Sequence, residues 1–245
     1  MIDLSSFSEE LNVAIIGSSG GIGSAFVKAL TTSPKVETIF EIGRTKPDKI
    51  GNKSVLLLAD ILNEESVIAA AAAIKAPLDM VIVTTGLLYD EETTPEKTWR
   101  QFSVEDAEKI FRVNAFGPML IAKHFLAKLN SEQKSIFAAL SAKVGSISDN
   151  ELGGWYTYRS SKAALNQYIK CSAIELGRKN KNAICVGLHP GTVATDLSAP
   201  FQANVQPGKL FDRDKAATQL LSVLNDLKFT DSGNLMSWDG STIMP

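Results

Sequence analysis

Apolar residues along the chain fall into short β-branched runs that alternate with longer amphipathic ones. The run at 13–16 is too short and continuous for an amphipathic helix and reads as a buried strand. Runs of the same kind at 36–42, 55–59, 80–84, 135–140, 183–188 and 232–239 bring the expected strands to seven. Helical periodicity marks 25–30, 64–75, 103–113, 116–129, about 158–178 and 212–227. Asn63 suits the N-cap of the alanine-rich second helix. Asn114 falls between two helical pieces, where asparagine is disfavoured unless its side chain or a local distortion has a use. Residues 192–209, rich in Pro, Gly and small polar side chains, form an irregular segment of the kind that covers sites. Strands alternating with helices call for right-handed crossovers and a parallel sheet. No repeat, low-complexity tract or linker divides the sequence, so residues 1–245 are expected to form one domain.

Composition removes several classes of function. A 44% hydrophobic and 21% charged chain is ordinary for a soluble globular protein. A net charge of −2 gives no electrostatic case for nucleic acid or an anionic membrane. No apolar run approaches the ~18 residues of a membrane span. The acidic, polar stretch 1–12 lacks the basic and apolar regions of a signal peptide. The two cysteines, Cys171 and Cys185, have no metal-ligand or redox spacing and suit a cytoplasmic setting. His124 and His189 stand too far apart, without clustered Cys or carboxylates, to suggest a metal site.

Candidate chemistry begins directly after the first strand. The loop of Gly17, Ser18, Ser19, Gly20, Gly21, Ile22 and Gly23 leads into a helix. Such glycines allow a backbone to approach a phosphate, and the helix N-terminus offers free N–H groups and partial positive charge. The loop also matches Gly-x-Ser-x-Gly with Ser19 central, the nucleophile pattern of α/β hydrolases. That reading fares poorly, because the elbow would follow the first strand and only His189 could serve late in the chain. At the end of the second strand, Gly43-Arg44-Thr45-Lys46 faces the place where a dinucleotide's adenosine ribose would lie. A basic group there accommodates a 2′-phosphate, so Arg44 argues for NADP over NAD. Asp60, at a strand end, suits either a bond to the adenine amino group or a turn. Within 149–165, Tyr158 and Lys162 lie four apart on one helix face. An ammonium beside a phenol favours phenolate and is expected to pull the tyrosine pKa below its reference of ~10.

Gly17-x-x-x-Gly21-x-Gly23, Asn114, a serine after the fifth strand, Tyr158-x-x-x-Lys162 and Pro190-Gly191 recur in this order in short-chain dehydrogenases/reductases, and the chain resembles that family over nearly its whole length. The stretches GSISDN, GGWYTYRSSKAALN, HPGTVATDLSAPF and SWDG resemble its C-factor-like or carbonyl-reductase-like branch. The resemblance implies a Rossmann-type, doubly wound α/β domain that binds NADP or NAD and moves a hydride to or from a carbonyl carbon. Tyr158 would be the acid/base, Lys162 its pKa-lowering partner and the holder of the nicotinamide ribose, and Asn114 the holder of a relay water. Ile22, Ile61, Thr85 and Gly86 would join Gly17, Ser19, Gly21, Gly23, Arg44 and Asp60 around the cofactor. Pro190, Gly191, Val193 and Thr195 would surround the nicotinamide carboxamide. The helices around 114–129 and 158–178 resemble those through which the family forms homodimers or homotetramers.

Three positions depart from the family pattern. Ile16 replaces the usual threonine before the first glycine. Val83-Thr84-Thr85-Gly86 replaces Asn-Asn-Ala-Gly. The family's Ser-Ser-x-x-Gly, aligned on Gly145, puts Ala142 at the catalytic serine and Ser141 one residue earlier, facing the other way on a strand. Ser141 remains the candidate if the backbone turns there, with Ser146 second. The resulting expectation is an NADP-preferring oxidoreductase acting on a small-molecule carbonyl or alcohol. The reading from another class is a nucleotide-binding regulatory or signalling protein with little turnover.

Overall fold

The computed structural model describes residues 2–45 and 52–245; Lys46 of the basic loop lies outside them. The chain begins with β1 (Leu11–Ile16), α1 (Gly21–Thr31), β2 (Val36–Gly43), β3 (Ser54–Leu58), α2 (Glu64–Ala73) and β4 (Met80–Val83). Next come α3 (Val104–Phe111), a π turn (Arg112–Phe116), α4 (Gly117–Phe125) and β5 (Ser135–Leu140). They are followed by α5 (Tyr156–Lys179), β6 (Ala183–His189), β7 (Thr192–Val193), β8 (Leu210–Phe211), α6 (Arg213–Asp226), β9 (Leu235–Ser237) and β10 (Thr242–Ile243).

Strand order in the main sheet is β3-β2-β1-β4-β5-β6-β9-β10, parallel throughout except for the antiparallel β9–β10 pair. The expected parallel, doubly wound sheet is therefore observed, with eight strands where the hydrophobic pattern marks seven. The eighth, β10, is a two-residue strand returning after a turn, too short to carry a period of its own.

Alternation along the strands sorts the core into two layers. Val13 and Ile15 of β1 face Phe26 and Leu30 of α1 and Leu220 and Leu224 of α6. Ala14 and Ile16 face the opposite layer, with Val67 of α2, Ile121 and Phe125 of α4, and Leu165 and Ile169 of α5. A sheet covered on both faces explains why its central strands are continuous apolar runs. Strand order reverses between β1 and β4, and such a reversal opens a crevice at the C-terminal ends of the strands. Loops carrying most of the candidate residues leave β1 to β6 at that edge.

Two local departures matter for the site. The break expected at Asn114 is a π turn, in which the Gly117 N–H bonds to the Arg112 carbonyl rather than to that of Val113. Segment 192–209 is less irregular than its composition suggests. It contributes β7, paired with β8, and 3-10 turns at Asp196–Asn204. Among the described residues, no helix is long and apolar enough to cross a membrane.

Candidate active site

Tyr158 and Lys162 occupy the first turns of α5, and both are buried. The Lys162 Nζ lies 5.8 Å from the centre of the Tyr158 ring and donates to the Leu140 carbonyl, 2.9 Å away at the end of β5. Burial pushes the Lys162 pKa down to about 8. Burial also raises Tyr158 above the ordinary phenol range, the opposite of what the ammonium alone would do. A phenolate here would lose its hydration, and desolvation is the only cause acting on it.

Asn114 is fully buried and binds the adjoining elements together. Its Oδ1 accepts from the Leu87 N–H at 2.8 Å, while its Nδ2 donates to the Leu87 carbonyl at 2.7 Å and to Ser161 Oγ at 3.1 Å. Ser161 Oγ donates in turn to the Tyr158 carbonyl. The loop after β4 is thereby fixed against the helix of Tyr158. A Cβ placed on Gly86 would lie 3.8 Å from both Asn114 Oδ1 and Lys162 Nζ, so Asn114, Lys162 and Gly86 converge.

Neither candidate serine is hydrogen-bonded to Tyr158 in this structure. Ser141 Oγ donates to Asn166 Oδ1 at 2.7 Å. Ser146 Oγ lies 3.3 Å from Ser148 Oγ and accepts from the Asp149 N–H. Both hydroxyls are buried, and Ala142 stands between them in sequence.

The glycine loop closes tightly on itself. A Cβ on Gly23 would lie 2.2 Å from the Gly17 carbonyl oxygen, and Gly17 has a φ of +84°, which favours glycine. Thr84 Oγ1 lies 2.8 Å from the Ile16 carbonyl and 3.1 Å from that of Gly17, securing a loop that lacks the family's threonine at position 16. Ser18 Oγ and Thr85 Oγ1 are buried without a hydrogen-bond partner. Two orphaned hydroxyls beside a side-chain-free cradle fit a ligand rich in phosphate and ribose oxygens. Ser19 and Arg44 are exposed at this edge. Asp60 Oδ1 accepts from the Leu62 N–H, one of the two uses weighed for it, and Ile61 is buried with its Cδ1 2.6 Å from where a Gly117 Cβ would stand. Thr195 reaches over Gly21, within 2.8 Å of where a Cβ would stand. Gly191 has a φ of +75° after Pro190, and Val193 is buried in β7. Ile22 packs against the small apolar cluster of Val193, Phe211 and Ala216.

Ser19 lacks the surroundings of a hydrolase nucleophile. His189 ends β6, three strands from β1 and thus ~14 Å away by strand spacing. Burial, aided by Lys143, pushes His189 down to about 4, and its Nδ1 has no partner. His124 of α4 instead contacts Glu64 of α2. Among the described residues, no group of three His, Cys, Asp or Glu side chains could hold a metal ion.

Two further features stand beside these residues. Trp155, immediately before α5, packs edge-on at 6.1 Å from the Tyr158 ring and 4.9 Å from Phe201. Tyr89 continues this aromatic wall, 5.7 Å from Phe201, and its hydroxyl donates to the Asp196 carbonyl. The second is Glu96, a buried carboxylate bonded to Thr157.

Fold and crevice together define a Rossmann-type α/β domain. The chain belongs to the short chain dehydrogenase family, whose model matches residues 11–206. It is 29% identical to C-signal of Myxococcus xanthus over 138 residues, 56% of this chain and 78% of that protein. It is 28% identical to an uncharacterized oxidoreductase of Saccharomyces cerevisiae over 261 residues, covering 96% of this chain and 97% of the other. Among solved structures it is similar to an NADPH-bound carbonyl reductase from chicken fatty liver, with a TM-score of 0.83 and 24% identity over 98% of this chain and 97% of that one. The carbonyl reductase Sniffer of Drosophila melanogaster gives the same TM-score at 22% identity, over 97% of this chain and 100% of that one. At these identities the structural likeness is one of fold.

Proposed function

We propose that the protein is an NADP(H)-preferring oxidoreductase that transfers a hydride between nicotinamide and a carbonyl or alcohol carbon. The observation that carries this reading is the buried Tyr158–Lys162 pair, joined through Asn114 to the loop after β4 and set beside a glycine cradle with orphaned hydroxyls. Gly17, Ser19, Gly21, Ile22 and Gly23 would hold the pyrophosphate, Arg44 the 2′-phosphate, and Asp60 and Ile61 the adenine side. Thr85, Gly86, Asn114 and Lys162 would hold the nicotinamide ribose, and Pro190, Gly191, Val193 and Thr195 the carboxamide. When bound, the cofactor supplies or accepts the hydride. Arg44 and the NADPH of the chicken reductase favour NADP(H) over NAD(H).

The protonation states suit reduction. Burial keeps the Tyr158 phenol protonated, and Lys162, at about 8, carries its proton at neutral pH. Tyr158 can then give its proton to the substrate oxygen, with Lys162 stabilising the phenolate left behind. Asn114 ties the loop after β4 to α5, and the π turn that holds it is where a relay water would bind. Ser141 is the proposed donor to the substrate carbonyl, with Ser146 second. The wall of Tyr89, Trp155 and Phe201 suits a small to medium apolar aldehyde or ketone.

A regulatory or signalling protein that binds nucleotide with little turnover is the second reading. It is favoured by Ala142 and by the engagement of Ser141 Oγ with Asn166. We further read residues 1–245 as one functional unit working in the cytoplasm. Exposed Phe116 and Ile174 on the outer helices support a homodimer or homotetramer. Screening a carbonyl panel with NADPH and NADH, alongside direct binding of both, tests the main reading. NADPH-dependent turnover supports it; binding with no turnover favours the regulatory reading, and absence of binding contradicts both.

A further inference from the structure

We propose that Glu96 is the positioning residue that sets the first turn of α5 and, through it, the reach of Tyr158 to the substrate; its catalytic consequence rests on the oxidoreductase reading above. A helix leaves its first N–H groups without intrahelical partners, and a Ser, Thr, Asp or Asn N-cap usually accepts from one of them. Helix α5 lacks such a cap. Its N-cap is Trp155, whose side chain makes no capping bond. The chain enters through three successive left-handed residues, Gly153, Gly154 and Trp155, with φ of +65°, +66° and +51°.

The missing acceptor comes from 61 residues away. The Glu96 carboxylate accepts from the Thr157 N–H, at 3.3 and 3.2 Å to its two oxygens, and also from Thr157 Oγ1. The Glu96 backbone carbonyl accepts from the Trp155 N–H at 2.5 Å. Glu96 thus grips residues on either side of the helix start, one of them immediately before Tyr158.

Burial makes this grip significant. Glu96 is 6% exposed and Thr157 4%, and no cation pairs with Glu96 among the described residues. A buried carboxylate costs free energy unless hydrogen-bonded, and the positive end of a helix dipole favours it. Its loop is itself braced, since Thr93 Oγ1 donates to Asp106 Oδ1 of α3 at 2.7 Å. The Trp155 ring packs edge-on against that of Tyr158, so a loosened first turn would free the tyrosine and its aromatic neighbour together.

The test compares Glu96→Ala, Glu96→Gln and, as a control at the far end of α5, Leu176→Ala. Measurements are kcat, the NADPH Kd, thermal midpoint and amide exchange of residues 152–162. In Glu96→Ala, kcat should fall on the order of 10–100-fold, as expected for a misplaced reacting group. NADPH Kd should stay within about twofold, because the phosphate cradle is untouched. Exchange at 152–162 should quicken by about tenfold or more. The amide of Glu96→Gln can accept from the Thr157 N–H and donate to its hydroxyl, so kcat should recover to within about threefold of the parent. Leu176→Ala should lower the thermal midpoint while sparing kcat and exchange at 152–162. The proposal is overturned if Glu96→Ala leaves exchange or kcat unchanged, if Glu96→Gln is as impaired as Glu96→Ala, or if Leu176→Ala loses kcat equally. Should the parent protein reduce no carbonyl, the oxidoreductase reading fails on its own. Exchange in the Ala and Gln variants then decides the positioning claim.

Discussion

Gly145 lies so close to Lys162 that a Cβ at position 145 would stand 2.8 Å from both the carbonyl carbon and the Cβ of that lysine. The turn after β5 therefore seats the helix carrying Tyr158, and only hydrogen fits between them. Gly145→Ala should destabilise the protein by about 1–3 kcal/mol through overpacking and lower kcat more than it raises cofactor Kd. A variant with unchanged thermal midpoint and turnover would show that the contact is not close in solution.

Arg44 is exposed at the end of β2, where a 2′-phosphate would stand. Losing a charge-assisted bond of about 1.5–3 kcal/mol should weaken NADPH binding by roughly 10–100-fold in Arg44→Gln. Binding of NADH, which lacks that phosphate, should hardly change. Equal loss for both nucleotides would remove Arg44 as the basis of the preference.

Burial lowers Lys162 from an ordinary 10.5 to about 8 in the folded chain. Between those values the unfolded chain binds more protons, so folded stability rises with pH across the window. Lys162→Met lacks this contribution. The stability of the parent relative to Lys162→Met should therefore climb by up to ~3 kcal/mol as pH rises from about 8 to about 10.5. Denaturant midpoints at several pH values give the comparison, and a pH-independent difference would mean Lys162 is solvated.

Ile174 is 51% exposed on the outer face of α5. If that face mates with a second copy, Ile174→Glu should shift the parent oligomer toward monomer in light scattering. A monomeric parent would contradict the proposed oligomer, and an unshifted oligomer would place its interface elsewhere.

What the sequence discloses about this site is what local spacing controls. The glycine loop follows a strand, Tyr158 and Lys162 share a helix face, and Asn114 interrupts a helical run, so each is visible within a short window. Glu96 is not, because its partner Thr157 is 61 residues away and an isolated glutamate reads as a solvated charge. The Tyr158 pKa shifts against expectation because the ammonium is visible in the sequence and the burial is not. Ser141 shows the limit of strand parity. Its backbone position follows from β5, but the hydroxyl's choice of Asn166 depends on how β5 and α5 pack. The fold was legible through its buried strands, whereas β10 was missed because two residues cannot display an alternation.

The central claim is that Tyr158 exchanges the proton with the substrate oxygen. Tyr158→Phe removes one hydroxyl from a buried ring and leaves the glycine cradle intact. NADPH-dependent carbonyl reduction should fall by at least about 100-fold while NADPH still binds with its parental affinity. Turnover equal to that of the parent would contradict the account.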